Sequence, residues 1–339
     1  MTVGRRDSFV GAGGNDTFLV EADATWGGTL ARNSYDPSLA VSIAGRNRSF
    51  DSYDGGTGSD TLNGTRGNDA LFYTTAGSAR LDSAGNPVAT AAHFTSVERF
   101  VLDMGDDVLD LTAGPGGSGS YANRVEVYGD TDYGQTNAAY GDDVLWGGQN
   151  PADILVGDTY QLGGTSVGGD DVLHAGVGDR AADGSVSRLY GDAVFAAGGV
   201  CGDDVLVGGD GGDFLFGDGS SPGISYAVCG DDTLTGGGGS DSFYGDVGGG
   251  SVSRGSDTFV FGNDSGRDEI ADFQPDSAAG AVRDVIRIST AYGLDEFGDL
   301  TITTNANGSA VVRLDGAADQ ITLSFIPPAS LTAADFEFY

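Results

Sequence analysis

The chain contains no lysine: all 16 of its basic residues are arginine, set against 50 acidic ones for a net charge of −34. That balance argues against nucleic acid or an anionic membrane as partner, because both need basic patches. His93 and His174 are the only histidines, and neither lies near a nucleophile or within His-x3-His reach of the other. Neither H-E-x-x-H nor G-x-S-x-G occurs, which removes the familiar zinc-protease and serine-hydrolase motifs. No apolar run approaches the roughly 18 residues that a membrane span needs. Residues 1–14 lack the apolar core of a cleavable signal peptide, so none is expected.

Glutamate is scarce as well. Only Glu21, Glu98, Glu126, Glu269, Glu296 and Glu337 occur, leaving 44 aspartates. A merely solubilising surface would be indifferent to the choice of acid. Aspartate is favoured where a short carboxylate must hold a turn or a hard cation.

What is abundant is glycine, 60 residues of it, without the strict Gly-X-Y period of collagen. The glycines fall in a recurring phrase whose clearest copy is Gly208-Gly209-Asp210-Gly211-Gly212-Asp213-Phe214-Leu215-Phe216. It fits the nonapeptide G-G-x-G-x-D-x-U-x, U being apolar, of calcium-binding parallel β-helices. Earlier copies are Gly11 to Leu19, Gly55 to Leu62 and Gly64 to Leu71, with a remnant at Gly105 to Leu109. Between them, residues 21–54 lose the pattern and hold Trp26 and Tyr35, reading as a long insertion or an N-terminal cap. Gly114 to Asn123 reads as a Gly/Ser loop and a boundary.

A regular array follows. Gly-Asp-Asp ends at Asp143, Asp171, Asp204 and Asp232, and Gly255-Ser256-Asp257 takes the next place, at spacings of 28, 33, 28 and 25 residues. Between them come Tyr128-Gly129-Asp130, Val156-Gly157-Asp158, Tyr190-Gly191-Asp192, Phe216-Gly217-Asp218 and Tyr244-Gly245-Asp246. Two nonapeptides make a coil of about 18 residues, so each coil carries extra chain. The excess is expected always between Gly-Asp and the next Gly-x-Asp, giving one plain edge and one edge with projecting loops. The expected fold is all-β: a right-handed parallel β-roll with Ca2+ in its turns, inserted loops along one edge and a β-rich C-terminal cap. Its divisions are 1–54 (cap with a first degenerate turn), 55–127 (irregular solenoid), 128–260 (regular roll) and 261–339 (C-terminal cap).

Turn glycines let carbonyl oxygens face the bend, and the sixth-position Asp adds a carboxylate. All-oxygen ligation with flexible geometry suits Ca2+ better than Zn2+, which favours His or Cys, or Mg2+, which keeps its waters. The candidate ligands are Asp16, Asp60, Asp69, Asp107, Asp143, Asp153, Asp171, Asp204, Asp213, Asp232, Asp241 and Asp257. Asp130, Asp158, Asp192, Asp218 and Asp246 either replace a lost carbonyl ligand or cap the inserted loop as Asx-turns. Stacked strands ~4.8 Å apart would crowd these carboxylates, each pair repelling by roughly 3–4 kcal/mol at an effective dielectric near 20. A buried Leu such as Leu206 returns about 1.5–3 kcal/mol. Cations reverse the repulsion, so folding and metal binding are expected to be one event, with a disordered chain in the absence of calcium.

Cys201 and Cys229 each precede a Gly-Asp-Asp and would stack roughly 5 Å apart, close enough for a disulfide. The alternative is two buried or reduced thiols. Tyr128, Val156, Tyr190, Phe216 and Tyr244 should share one outward face, either as a sugar-binding or self-association stripe or as a surface covered by the insertions.

These residues resemble the RTX (repeats-in-toxin, haemolysin-type calcium-binding) family of Gram-negative bacteria. The likeness continues through Asp257 to Phe261, Gly266 to Phe273, Asp284 to Ile288, Ile321 to Leu323 and the end Leu331 to Tyr339, similar to the cap and secretion signal of serralysin-like proteases. It is good over roughly 55–75 and 128–339 and poor over 1–54 and 76–127. The resemblance implies export as an unfolded chain through a type I secretion apparatus, then folding on external calcium. Enzymes of that family carry a catalytic domain ahead of the repeats, for which this chain has neither room nor motif. The expected function is therefore a secreted, non-enzymatic calcium-binding protein of structural, surface, matrix or adhesive role, with self-association or cell-surface polysaccharide as its partnership. Two alternatives stay open: a hydrolase or lyase with an unrecognised site in 21–127, and a secretion and folding module of a larger exoprotein.

Overall fold

Strands of only three or four residues recur because each repeat offers one apolar residue flanked by residues that face away from it. In a strand successive side chains point to opposite faces, so the x-U-x pattern buries only the centre. The computed structural model describes residues 7–27, 30–32, 40–49, 51–72, 80–81, 87–88, 93–112, 124–148, 152–176, 186–220, 226–247, 253–276, 282–315 and 318–339. The expected loop at 114–123 lies outside them.

The protein is all-β, with four 3-10 turns of three residues near the C-terminus as its helical content among the described residues. Two long sheets, of 12 and 9 strands, dominate. From residue 126 to 288 the chain passes alternately between them and every neighbouring pair is parallel. In the longer sheet Val127, Leu155, Leu189, Leu215, Phe243 and Ile270 are aligned residue for residue. In the shorter sheet the row is Leu145, Leu173, Leu206, Leu234, Phe259 and Ile286. All twelve are fully buried in one continuous core between the sheets. This layout is compatible with the expected roll.

Toward the N-terminus a third parallel sheet joins, formed by Ser8–Val10, Ser52–Asp54 and His93–Thr95. It buries Tyr53 and Phe94, whose rings pack with Phe18 and Phe100. Two antiparallel pairs follow, Ala24–Thr25 with Asn47–Arg48 and Leu30–Arg32 with Ala40–Ser42. Trp26 and Ile43 pack on Ala70, Phe72 and Val108, and Trp26 Nε1–H donates to the Ala70 carbonyl at 3.2 Å. Trp26 and Ile43 thus cover the shorter sheet where it begins. At the other end Thr301–Thr304, Ala310–Asp315 and Asp319–Leu323 close the longer sheet with antiparallel pairing, and Phe336–Phe338 closes the shorter one.

The distribution of extra chain differs from expectation in one coil. Most turns from the shorter to the longer sheet are short, such as residues 208–213 between Val205–Val207 and Phe214–Phe216. Between Val172–His174 and Arg188–Tyr190, however, lie residues 175–187, so the 33-residue coil also carries an insertion on the plain edge. Its turn has lost the glycine run, and Ser187 stands where its neighbours have Asp. On the insertion edge the added segments are themselves stacked. Thr159–Leu162, Ala193–Ala196 and Gly219–Ser220 form a parallel sheet, and bridges link Ala139, Val167, Val200, Val228 and Ser253 in sequence. Tyr140, Leu162, Ala193, Ala196, Ala227, Val247 and both cysteines form a small core beneath them.

Candidate metal centre

The aspartates that close each insertion stand in one row because the strands after them are in register. The row runs Asp69, Asp107, Asp143, Asp171, Asp204, Asp232, Asp257 and Asp284. The backbone N–H of each donates to Oδ1 of the next, at distances from 2.5 to 3.1 Å. From Asp107 onward, one oxygen of each carboxylate is thus spent on the backbone of the coil before it. The other oxygen is not: Oδ2 of Asp107, Asp143, Asp171, Asp204 and Asp232 is buried and accepts no hydrogen bond.

Oδ2 of Asp143, Asp171, Asp204 and Asp232 faces the glycine that opens the same insertion. A Cβ on Gly191 would lie 1.8 Å from Asp204 Oδ2 and 1.9 Å from the Gly217 carbonyl oxygen of the next coil. Gly157 has the same relation to Asp171 Oδ2 and Gly191, and Gly217 to Asp232 Oδ2 and Gly245. The glycine is required here because a carboxylate oxygen and a neighbouring carbonyl converge where a side chain would be.

Asp130, Asp158, Asp192, Asp218 and Asp246 form a second row on this edge. Each accepts from the backbone N–H of the glycine that ends its insertion: Gly141 at 2.9 Å, Gly169 at 3.2 Å, Gly202 at 2.9 Å, Gly230 at 2.8 Å and Gly255 at 2.7 Å. They therefore clasp the loop, which is the capping role. In Asp158, Asp192 and Asp218 Oδ2 still accepts no hydrogen bond, so one oxygen remains for a cation. Burial, followed by neighbouring carboxylates, holds Asp143, Asp158 and Asp232 well above the usual carboxylate range. Burial pushes Asp130 and Asp218 up to about 7.

The chain matches no protein-family model and no curated protein. What the site can do must be read from its own geometry. Buried carboxylate and carbonyl oxygens, converging in a cradle that a methyl group would fill, fit a hard cation. Without one, each unpartnered buried carboxylate is costly, which is why burial favours its neutral form.

The plain edge carries its own row. The N–H of Asp16 donates to Asp60 Oδ1 at 2.7 Å, and that of Asp60 to Glu98 Oε2 at 3.0 Å. Further on, Asp153, Ser187, Asp213, Asp241 and Asp268 are linked in the same way at 2.8–3.2 Å. Here a short turn satisfies its own carboxylate: Asp213 Oδ2 accepts from Gly209 N–H at 2.7 Å and Asp153 Oδ2 from Gly148 N–H at 2.9 Å. Asp16, Asp60 and Asp268 keep a buried Oδ2 without a hydrogen-bond partner.

Sequence reasoning missed Glu98, Asp268, Asp272 and Asp284. Asp268 and Asp284 each follow the previous row member by 27 residues, a signal that was legible but lay in the stretch assigned to the cap. Asp272 accepts from Gly245 N–H at 3.1 Å and Asp246 N–H at 3.0 Å, ending the second row.

Cys201 and Cys229 are free, buried thiols rather than a bridge. The stacking itself is as expected, since Val200 pairs with Val228 and Cys201 N–H donates to the Val228 carbonyl at 2.8 Å. The sulfurs instead face carboxylates, Cys201 those of Asp192 and Asp218, Cys229 those of Asp218 and Asp246. The outward aromatic row is in register, with Tyr190, Phe216 and Tyr244 stacked at 4.8 and 4.7 Å. Val194 of an insertion packs on Tyr128, Val156 and Tyr190, which are buried. That part of the row is covered surface.

Proposed function

We propose that this chain is an RTX-type calcium-binding β-roll, exported through a type I apparatus, folded by external calcium and serving a structural, surface or matrix role without catalysis. The carrying observation is the row of buried Oδ2 atoms that meet carbonyl oxygens of the next coil. Asp143, Asp171, Asp204 and Asp232 would hold the ions, with Asp130, Asp158, Asp192 and Asp218 contributing their second oxygen. Extracellular calcium modules work at ~10⁻⁴–10⁻³ M, so such sites would stay empty during cytosolic transit and fill outside. Bound calcium offsets the carboxylate repulsion and links coil to coil.

Self-association through an end is supported by the strands Ser8–Val10 and Thr17–Leu19, which lie at sheet edges with Phe9, Val10 and Leu19 exposed. Two measurements test the proposal. Circular dichroism of the chain before and after chelation should lose its β signal and regain it on adding calcium; an unchanged spectrum would defeat the calcium reading. Electron microscopy at rising protein concentration with calcium should show end-to-end assemblies; monomers throughout would remove the self-assembling role. Turnover of a polysaccharide or peptide substrate, abolished by a substitution outside the Asp rows, would overturn the non-enzymatic reading.

A further inference from the structure

Two cysteines stand inside an edge otherwise made of oxygen ligands. Along the insertion edge Asp192, Cys201, Asp218, Cys229 and Asp246 form two overlapping groups. In each, one sulfur and two carboxylate oxygens lie within 4.8 Å of one another. All five residues are buried, and Oδ2 of Asp192 and of Asp218 accepts no hydrogen bond. We propose that these residues form two adjoining sites for a thiophilic divalent cation of the zinc or cadmium class, one on Asp192, Cys201 and Asp218, the other on Asp218, Cys229 and Asp246.

Thiolate is a soft ligand that calcium uses poorly and zinc or cadmium uses well. Zinc bound through sulfur at ~2.3 Å and carboxylate oxygen at ~2.1 Å brings its ligand atoms closer together than 4.8 Å, so the groups would contract on loading. Three protein ligands leave a fourth position for water or a nearby carbonyl. Charge also balances. Two thiolates and three carboxylates are five negative charges, and Arg254 pairs with Asp246 at 3.4 Å, leaving four for two divalent ions. Each ion displaces the proton of one thiol, which burial and the facing carboxylates otherwise hold in place. The sites lie beneath the stacked insertions, so filling them would tie one insertion to the next at three successive coils. Here Asp192 and Asp218 would give their second oxygen to this cation rather than to calcium, and calcium elsewhere in the Asp rows is not required.

The test uses the full chain, reduced, freed of reductant and shown by circular dichroism to be folded, with cadmium as probe. Titration should raise an ultraviolet sulfur-to-cadmium charge-transfer band that saturates at two ions per chain. Cys201→Ser and Cys229→Ser should each leave about half the band, and the double variant none. Asp218→Asn should weaken both ions together by about tenfold or more, whereas Asp192→Asn weakens one. A folded chain with two titratable thiols and no charge-transfer band overturns the proposal. So does a band that survives in the double variant, or a thiol count of zero before reduction, which would mean a disulfide. Failure of the calcium reading is distinguishable, because it appears as a β signal unmoved by chelation whatever cadmium does.

Discussion

The two edges of the protein use the same residue for opposite ends. At Asp153 and Asp213 on the plain edge a short turn bends its own N–H back onto the carboxylate, as Gly209 does for Asp213. On the insertion edge the residues that would do this have been carried away into the added loop. The carboxylate of Asp204 is left with one oxygen accepting from the Asp171 N–H and one with no hydrogen-bond partner. A plain turn such as that of Asp213 is closed by its own hydrogen bond, as those of Asp16, Asp60 and Asp268 are not, whereas on the proposed reading an inserted turn such as that of Asp204 would be completed by a cation. The insertion edge is where calcium should matter most.

The largest effect that would break this comparison comes from filling the cradle. Gly191→Ala places a methyl carbon on Asp204 Oδ2 and the Gly217 carbonyl and should cost about 3 kcal/mol or more, read by denaturant melting in calcium. Gly238→Ala on the plain edge meets nothing closer than the Asp264 carbonyl oxygen at 3.4 Å and should cost about 0.5 kcal/mol. Equal losses would mean that the cradle is not special. Next in size, Asp204→Asn should raise the calcium midpoint about tenfold, a difference of ~1.4 kcal/mol, and Asp213→Asn only about twofold. The reverse order, measured by calcium titration of the circular dichroism signal, would place the stronger ions on the plain edge.

Acidity should separate the metal-free form from the proposed calcium-bound form. Burial pushes Asp130, Asp218, Asp268 and Asp272 up to about 7 and Asp284 up to about 8. A carboxyl raised in the fold favours folding when protonated. That stability is present in full below the unfolded value of about 4 and is lost as pH rises through 7 to 8. In chelator the β signal should therefore be stronger at pH 5 than at pH 8. In saturating calcium the ionised carboxylates are the bound form, so the preference should reverse. A chelated chain equally folded at both pH values would contradict the burial of these groups.

The alternation of sheets, the buried leucine rows and the position of nearly every row aspartate were legible in the sequence, because one period fixes strand, turn and ligand together. What was not legible depended on partners far along the chain. Nothing in Trp26 and Ile43 announced that they would pack on Ala70, Phe72 and Val108. The insertions read as loops because their sequences differ, yet they stack, since the coils beneath them hold them in register. Cys201 and Cys229 were placed one above the other correctly. Their sulfurs answer to the carboxylates beside them, which spacing alone did not reveal.

The smallest expected effect is also the most discriminating between edges. Ser187 stands in the plain-edge row between Asp153 and Asp213, donor and acceptor links intact, at the end of the lengthened connection 175–187. Ser187→Asp restores the missing carboxylate at a fully buried position. If the plain edge binds calcium, the variant gains a ligand, and its stability in calcium should rise by about 1 kcal/mol. In chelator the same substitution adds a buried charge beside Asp153 and Asp213, so stability should fall by a similar amount, about 1 kcal/mol, more at pH 8 than at pH 5. Opposite signs in the two conditions would extend the cation reading to both edges. A loss in both would confine the ions to the insertion edge and leave the plain edge as a hydrogen-bonded frame.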